Sequence, residues 1–168
     1  KAKTVPANRP ITIRDLLRHT AGMYNNPPGI WEPGYDLGQM IDSLASKPLR
    51  THPGTEFEYG LSMDVLARLV EVVSGQSFDV FIKTRIFDPL GMVDTGFWEP
   101  PDEASRLVAM PGDGPSDGKS KGGALAATYL EPPIILMGGT GLVSTTMDYL
   151  RFYQMLLNKG KLSGARIL

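Results

Sequence analysis

The chain has 168 residues, of which 42% are hydrophobic and 21% are charged, as in globular domains large enough to form a core. Its formal net charge of −1 gives no electrostatic basis for binding nucleic acid, and no apolar run approaches the roughly 20 residues that span a bilayer. Cysteine is absent, which excludes disulfides, thiolate chemistry and zinc sites built on cysteine.

The first two predicted helices begin at residues that can cap a helix. Thr12 stands three residues before Asp15, which is the spacing of a capping box, and it starts a short helix that ends by Gly22. After a loop rich in Pro, Gly and Asn, Asp36 starts a second helix that runs to about Ser46.

Two more helices are predicted in the middle of the chain. Apolar residues recur at helical spacing over Leu61–Ser74, and Gly75 ends this helix. A further helix is predicted from Phe78 to Ile86, stopping before Pro89.

The remaining sequence changes character twice. Residues 100–130 are rich in Pro, Gly, Asp and Lys and are predicted to form a long mobile loop. Residues 131–168 are predicted to form an extended segment and a last helix, from about Thr146 to Asn158 and closed by Gly160. With residues 1–99 as a first helical part, the chain is predicted to be mainly α, with few strands.

One serine matches two catalytic motifs but stands in the wrong context. Ser116 fits both G-x-S-x-G (residues 114–118) and S-x-x-K (residues 116–119). The first motif requires a strand before the serine and a helix after it, and the second requires a helical turn that carries both side chains on one face. Because Ser116 stands in a Gly-rich segment, we interpret it as a solvated loop residue.

No metal or cofactor site is predicted. His19 and His52 are the only histidines, and neither has a partner at a ligand spacing such as H-E-x-x-H. We interpret His19 as a residue at a helix end and His52 as a turn residue. The segment GGTGL (residues 138–142) lacks the lysine of a phosphate-binding loop.

Three stretches, in order along the chain, resemble one protein family. They are "ITIRDLLRHTAGM" (residues 11–23), the continuous stretch from "PGTEFEYGLSMDV" to "MVDTGF" (residues 53–97), and "GGTGLVSTTMDYLRFYQMLLNKGKLSGARIL" (residues 138–168). They are similar to the serine β-lactamase and penicillin-binding-protein-like family. The resemblance is strongest to its branch of class C β-lactamases, D-alanyl-D-alanine carboxypeptidases and family VIII carboxylesterases. It implies the helical subdomain of the β-lactamase/transpeptidase-like α/β fold, together with the first segment that returns to the α/β domain.

The resemblance gives Tyr59 a catalytic role. In the family, a tyrosine opens a Y-x-N or Y-S-x motif at the start of a helix, and its phenolic oxygen points into the active site. Gly60 and Leu61 follow Tyr59 here, so the asparagine that helps to hold a β-lactam side chain is replaced by Leu61. This favours an esterase-like or peptidase-like relative over a β-lactamase.

The resemblance also implies that other parts of the site lie elsewhere. The family's S-x-x-K helix precedes the segment that matches residues 11–23, and its K-T-G or H-x-G strand follows the segment that matches residues 138–168. We therefore expect this chain to be an internal fragment that carries Tyr59 alone of the catalytic groups and whose partner is the missing α/β domain. The resemblance further places Thr140 and Gly141 on a loop bordering the pocket and Tyr24 near the opposite rim. It also implies that Gly60 and Leu61, which follow Tyr59, contact the substrate.

The implied function is that of a serine hydrolase that acts on small ester or amide substrates through an acyl-serine intermediate. The fragment itself is expected to be inactive. The apolar segment Tyr129–Val143 is expected to leave surface exposed and to favour self-association. The alternative is a non-catalytic helical module with a binding or structural role, which the lack of a nucleophile in a suitable context favours.

Overall fold

The computed structural model describes residues 4–108 and 128–168, and these form two compact units. One unit comprises Lys1–Phe78 and Ile134–Gly141, and the other comprises Asp79–Pro133 and Leu142–Leu168. All six predicted site residues belong to the first unit. Of the predicted loop at 100–130, Pro101–Arg106 form a 3₁₀ helix, and residues 109–127, including Ser116 and Lys119, lie outside the described residues.

Capping side chains start the first two helices, as the sequence predicts. Helix α1 spans Ile13–Leu17, and its cap Thr12 forms a reciprocal capping box with Asp15. Helix α2 spans Leu37–Ala45 and begins with a second capping box, between Asp36 and Gln39. The first N–H groups of a helix have no carbonyl partner within the helix. In each box, side chains accept hydrogen bonds from two such backbone N–H groups.

Helix α3, Ser62–Ser74, is the longest helix in the described part of the chain and packs against α1 and α2. Gly75 ends it in the left-handed conformation at φ 70°. The core of the first unit lies between α2 and α3 and includes residues of the preceding loops. Its buried members are Ile30, Leu37, Met40, Leu44, Leu61 and Ala67.

The helix predicted to stop at Ile86 continues to Leu90 in the structure. It consists of α4 (Phe78–Ile82), a π-helical turn (Lys83–Phe87) and α5 (Asp88–Leu90). Pro89 follows the π-helical turn directly and stands at one of the first two positions of α5, where proline is tolerated. The prediction that the helix ends before Pro89 is therefore wrong.

In the second unit, a buried carboxylate ties the segment after α5 to the last helix. Helix α6 spans Thr146–Leu157. Its Asp148 accepts hydrogen bonds from the Asp94 N–H and the Thr95 hydroxyl, both at 2.8 Å. Strands β1 (Lys161–Leu162) and β2 (Ala165–Arg166) form an antiparallel hairpin after α6. Every helix in residues 4–108 and 128–168 is too short or too polar to span a bilayer.

Candidate active site

Tyr59 stands on the loop that leads into α3 and is well exposed to solvent. The structure leaves 65% of the residue accessible, and its phenol has no hydrogen-bond partner among the described residues. The ring stacks on the imidazole of His19, with centroids 4.9 Å apart and planes inclined by 29°. Tyr59 is thus held by its ring, while its hydroxyl stays open to a reactant.

Backbone hydrogen bonds hold the loop before Tyr59 against the turn that follows α1. Each joins an N–H of the segment 50–58 to a carbonyl of the segment 19–22. The bonds are Arg50 to Gly22 at 2.8 Å, Gly54 to Thr20 at 2.7 Å and Glu58 to His19 at 2.8 Å. Gly22 has a φ of 79°, and a β-carbon there would lie 2.3 Å from the carbonyl oxygen of Thr51. Only glycine therefore allows the two segments to approach this closely.

Asp15 anchors the α1 side of this arrangement. Its carboxylate accepts hydrogen bonds from both terminal nitrogens of Arg9, at 2.6 and 2.8 Å. It also accepts hydrogen bonds from the Thr12 N–H at 2.9 Å and the Thr12 hydroxyl at 2.7 Å. The Arg9 hydrogen bonds, followed by those of Thr12, hold the pKa of the Asp15 carboxyl far below its usual range. These bonds fix the start of α1, and His19 lies in the turn that ends this helix.

Gly60 brings the loop of Tyr24 next to the loop of Tyr59. A β-carbon on Gly60 would lie 2.9 Å from the Cα of Asn25, so this close approach requires glycine. Tyr24 is 40% exposed, and the Arg50 guanidinium lies 5.7 Å from its ring centroid. Asn25, the neighbour of Tyr24, therefore contacts Gly60, the neighbour of Tyr59.

A groove of about 730 Å³ runs along the Tyr24 side of the unit. Its wall includes Tyr24 and three basic side chains, those of Lys47, Arg50 and His52. Of these, Arg50 already pairs with Glu58 at 2.7 Å, and the Nδ1 of His52 accepts a hydrogen bond from the Asn8 N–H. Tyr59 does not line this groove, so the groove and the phenol are separate surface features.

Leu61 occupies the core of the unit. Only 5% of the residue is exposed, and its side chain belongs to the buried cluster that includes Ile30 and Met40. The side chain at this position therefore stabilises the start of α3 by packing. Because the side chain is buried, only the backbone of Leu61 can have the substrate-binding role that the resemblance implies.

The first turn of α3 also holds the segment of Thr140 and Gly141. Asp64 is 2% exposed, and its carboxylate accepts a hydrogen bond from the Gly139 N–H at 3.2 Å. Burial raises the pKa of Asp64, against the opposing effect of the N–H groups of Gly139 and Gly138. A β-carbon on Gly138 would lie 2.2 Å from the Met63 carbonyl oxygen, so the segment lies directly on the helix. Thr140 follows it as an exposed residue, and Gly141 adopts φ 101°.

Five of the six predicted site residues thus lie around the start of α3, either just before the helix or on loops that contact this region. Tyr59 and Gly60 precede α3, with Tyr24 reached through Asn25, and Thr140 and Gly141 follow the glycines bound to Asp64. Sequence reasoning missed Asp64 and the contact of His19 with Tyr59. In the sequence, Asp64 resembles an ordinary first-turn acid, and His19 shows no motif.

A metal centre finds no support in the part of the chain that the structure describes. No three His, Cys, Asp or Glu side chains among residues 4–108 and 128–168 are grouped as metal ligands would be. The exposed phenol of Tyr59 is a group that can donate or accept a proton.

Comparison with known proteins gives a family and several relatives. The Beta-lactamase family model matches residues 2–168. Protein Rv1367c of Mycobacterium tuberculosis is 34% identical over 99% of this chain, and lovastatin esterase of Penicillium rubens is 33% identical over 94%. The chain spans 43% and 42% of the lengths of these two relatives. The solved structure of EstCE1, a hydrolase with promiscuous acyltransferase activity, is 26% identical, with a TM-score of 0.68. That match covers 91% of this chain and 47% of EstCE1.

Proposed function

Since the chain belongs to the Beta-lactamase family, we propose that it supplies the proton-carrying tyrosine, Tyr59, of a serine hydrolase that acts on esters or amides. The observation that carries the proposal is the exposed phenol of Tyr59 just before α3. Its ring stacks on His19, and its oxygen has no hydrogen-bond partner among the described residues. Named relatives support the same chemistry, since one is an esterase and another is a hydrolase with acyltransferase activity.

In the proposed reaction, a serine and a lysine outside residues 1–168 join Tyr59. The serine oxygen bonds to the substrate carbonyl carbon while its proton passes to the phenolate oxygen of Tyr59, which the lysine ammonium stabilises. The bond to the leaving oxygen or nitrogen then breaks, and that atom takes the proton. Water cleaves the acyl-serine by the same steps, which regenerates the serine hydroxyl.

Tyr59 requires a cationic partner for this work. A phenol is protonated in neutral water, and a lysine ammonium close to its oxygen favours the phenolate. The described residues place no lysine against the Tyr59 hydroxyl. The proposal therefore assigns that lysine, together with the nucleophile, to the longer polypeptide.

Leu61 favours esters over β-lactams as substrates. The resemblance places it where β-lactamases carry an asparagine that holds the substrate amide. Here that side chain lies in the core and offers no hydrogen bond. An ester needs no such amide contact, so we propose a carboxylic ester as the preferred substrate class.

Covalent labelling of the full-length polypeptide tests the proposal. Incubation with a fluorophosphonate, followed by peptide mass spectrometry, is expected to label one serine outside residues 1–168. Turnover of p-nitrophenyl acetate is expected to exceed that of nitrocefin. Residues 1–168 alone are expected to hydrolyse neither compound above the buffer rate.

Two results would contradict the proposal. Saturable turnover by residues 1–168, abolished by Ser116→Ala, would make the loop serine the nucleophile. Absence of any labelled serine in the full-length polypeptide would favour the alternative, a non-catalytic helical module.

A further inference from the structure

We propose that His19 is a positioning residue for Tyr59, an inference that rests on the catalytic role proposed for the tyrosine. The imidazole and phenol rings are stacked, with centroids 4.9 Å apart. The ring of Phe57 lies on the same imidazole, at 5.9 Å and 59°. Phe57 and Tyr59 are two residues apart, the spacing at which side chains of an extended segment share a face. His19 is thus the common contact of two rings on the loop before α3.

The backbone fixes the imidazole relative to the tyrosine. His19 adopts φ 54°, in the left-handed region that side-chain-bearing residues rarely enter. Its N–H donates to the Leu16 carbonyl at 3.1 Å, and its carbonyl accepts from the Glu58 N–H at 2.8 Å. Glu58 is the neighbour of Tyr59, so one hydrogen bond links the strained residue to the chain beside the phenol. His19 directly follows Arg18, the C-cap of α1, at the position where helices commonly end in a left-handed residue, so the helix end fixes where the imidazole stands.

The imidazole of His19 has a ring nitrogen without a hydrogen-bond partner, and a residue without this ring could end the helix equally well. Its Nδ1 is buried without a hydrogen-bond partner among the described residues. Such an atom opposes folding, and a residue such as asparagine would adopt the same left-handed turn without burying a ring nitrogen. The ring contact with Tyr59 is what asparagine would lack. We therefore assign the ring of His19 the task of holding the phenol in one orientation.

Two substitutions separate the turn from the ring. His19→Asn keeps a residue that tolerates the left-handed backbone and removes the ring, whereas His19→Phe keeps a ring and removes both nitrogens. In the full-length polypeptide, His19→Asn is expected to lower kcat for p-nitrophenyl acetate by about 10-fold to 100-fold, the scale of a small misplacement of a catalytic group. Its melting temperature is expected to stay near that of the wild type. His19→Phe keeps the stack and is expected to lose less kcat than His19→Asn, although phenylalanine tolerates φ 54° less well than asparagine and is expected to lower the melting temperature.

A double-substitution cycle supplies a readout that a merely structural role would not move. If His19 acts through the Tyr59 hydroxyl, His19→Asn has no further effect on kcat in the Tyr59→Phe background. Selective ¹³C labelling of tyrosine adds a readout independent of activity. The Tyr59 ring resonances are expected to move on His19→Asn, because the imidazole ring current is lost, while those of Tyr153 stay unchanged.

The outcomes distinguish this inference from the proposed function. Full activity in Tyr59→Phe would overturn the proposed function and the role of His19 with it. Loss of activity in Tyr59→Phe, combined with wild-type kcat in His19→Asn, would overturn the role of His19 alone. Equal losses from His19→Asn in both backgrounds would also overturn it, since they would show a general structural effect.

Discussion

Replacing Leu61 by asparagine restores the residue type that β-lactamases of this family carry, and we expect it to destabilise the chain without adding β-lactam hydrolysis. Leu61 is 5% exposed and packs in the core cluster between α2 and α3. Losing a buried leucine side chain costs about 2 kcal/mol of transfer free energy. The buried amide, without partners, adds about 1–3 kcal/mol. The expected loss in the free energy of unfolding is therefore about 3–5 kcal/mol, a large part of the stability of a typical domain.

Urea denaturation followed by tryptophan fluorescence measures this loss. Trp31 adjoins the core residue Ile30, and Trp98→Phe leaves Trp31 as the single reporter. The matched control is Leu61→Met, which conserves volume and is expected to cost less than about 1.5 kcal/mol. If Leu61→Asn unfolds within 1 kcal/mol of the wild type, or if the full-length variant gains nitrocefin hydrolysis, the assignment of this side chain to the core is wrong.

Three further predictions concern the same unit and its surface. Burial raises the pKa of Asp64, so the folded chain binds this proton more tightly than the unfolded chain. The contribution of Asp64 to the free energy of unfolding therefore falls as pH rises above the unfolded pKa of about 4. Urea denaturation between pH 4 and 7 is expected to show a flatter pH dependence in Asp64→Asn, and an unchanged slope would contradict this. Gly138→Ala is expected to destabilise by more than about 2 kcal/mol, because its β-carbon would lie 2.2 Å from the Met63 carbonyl oxygen. Gly139→Ala, whose β-carbon has no neighbour closer than 3.5 Å, is the control and is expected to be mild. Finally, residues 1–168 are expected to self-associate, with Ile134 at 68% exposure as the most open apolar side chain of the segment Tyr129–Val143. Sedimentation of a clean monomer at high concentration would refute this.

The sequence predicted those parts of the fold that local interactions decide. The Thr12 and Asp36 caps appear as predicted, because a capping side chain and its backbone partners lie within four residues of one another. Gly75 ends α3 as predicted, since the left-handed conformation at a helix end favours glycine whatever surrounds it. By contrast, the helix beginning at Phe78 runs past its predicted end. A π-helical turn shifts the hydrogen-bond register before Pro89, and no local signal marks such a turn.

The candidate site was predicted only where a family motif marks it. The resemblance assigned Tyr59 its role because this tyrosine stands, like the family's motif tyrosine, at the start of a helix. The contacts that build its surroundings join residues far apart in sequence, such as His19 with Tyr59 and Asp64 with Gly139. Periodicity and spacing carry no information on such pairs. The same limitation explains Leu61, whose place in a motif suggested a pocket, whereas its apolar side chain follows the core stripe of α3.

The catalytic role of Tyr59 is the central claim, and turnover of p-nitrophenyl acetate by the full-length Tyr59→Phe variant tests it most directly. The substitution keeps the ring, and hence the stack on His19, and removes only the hydroxyl. We predict that kcat falls by roughly 100-fold to 10,000-fold, the range for a positioned acid–base group, while the melting temperature stays unchanged. Tyr153→Phe, the same change at a tyrosine of α6 with 51% exposure, is the control and is expected to keep wild-type kcat. Wild-type turnover in Tyr59→Phe would contradict the account.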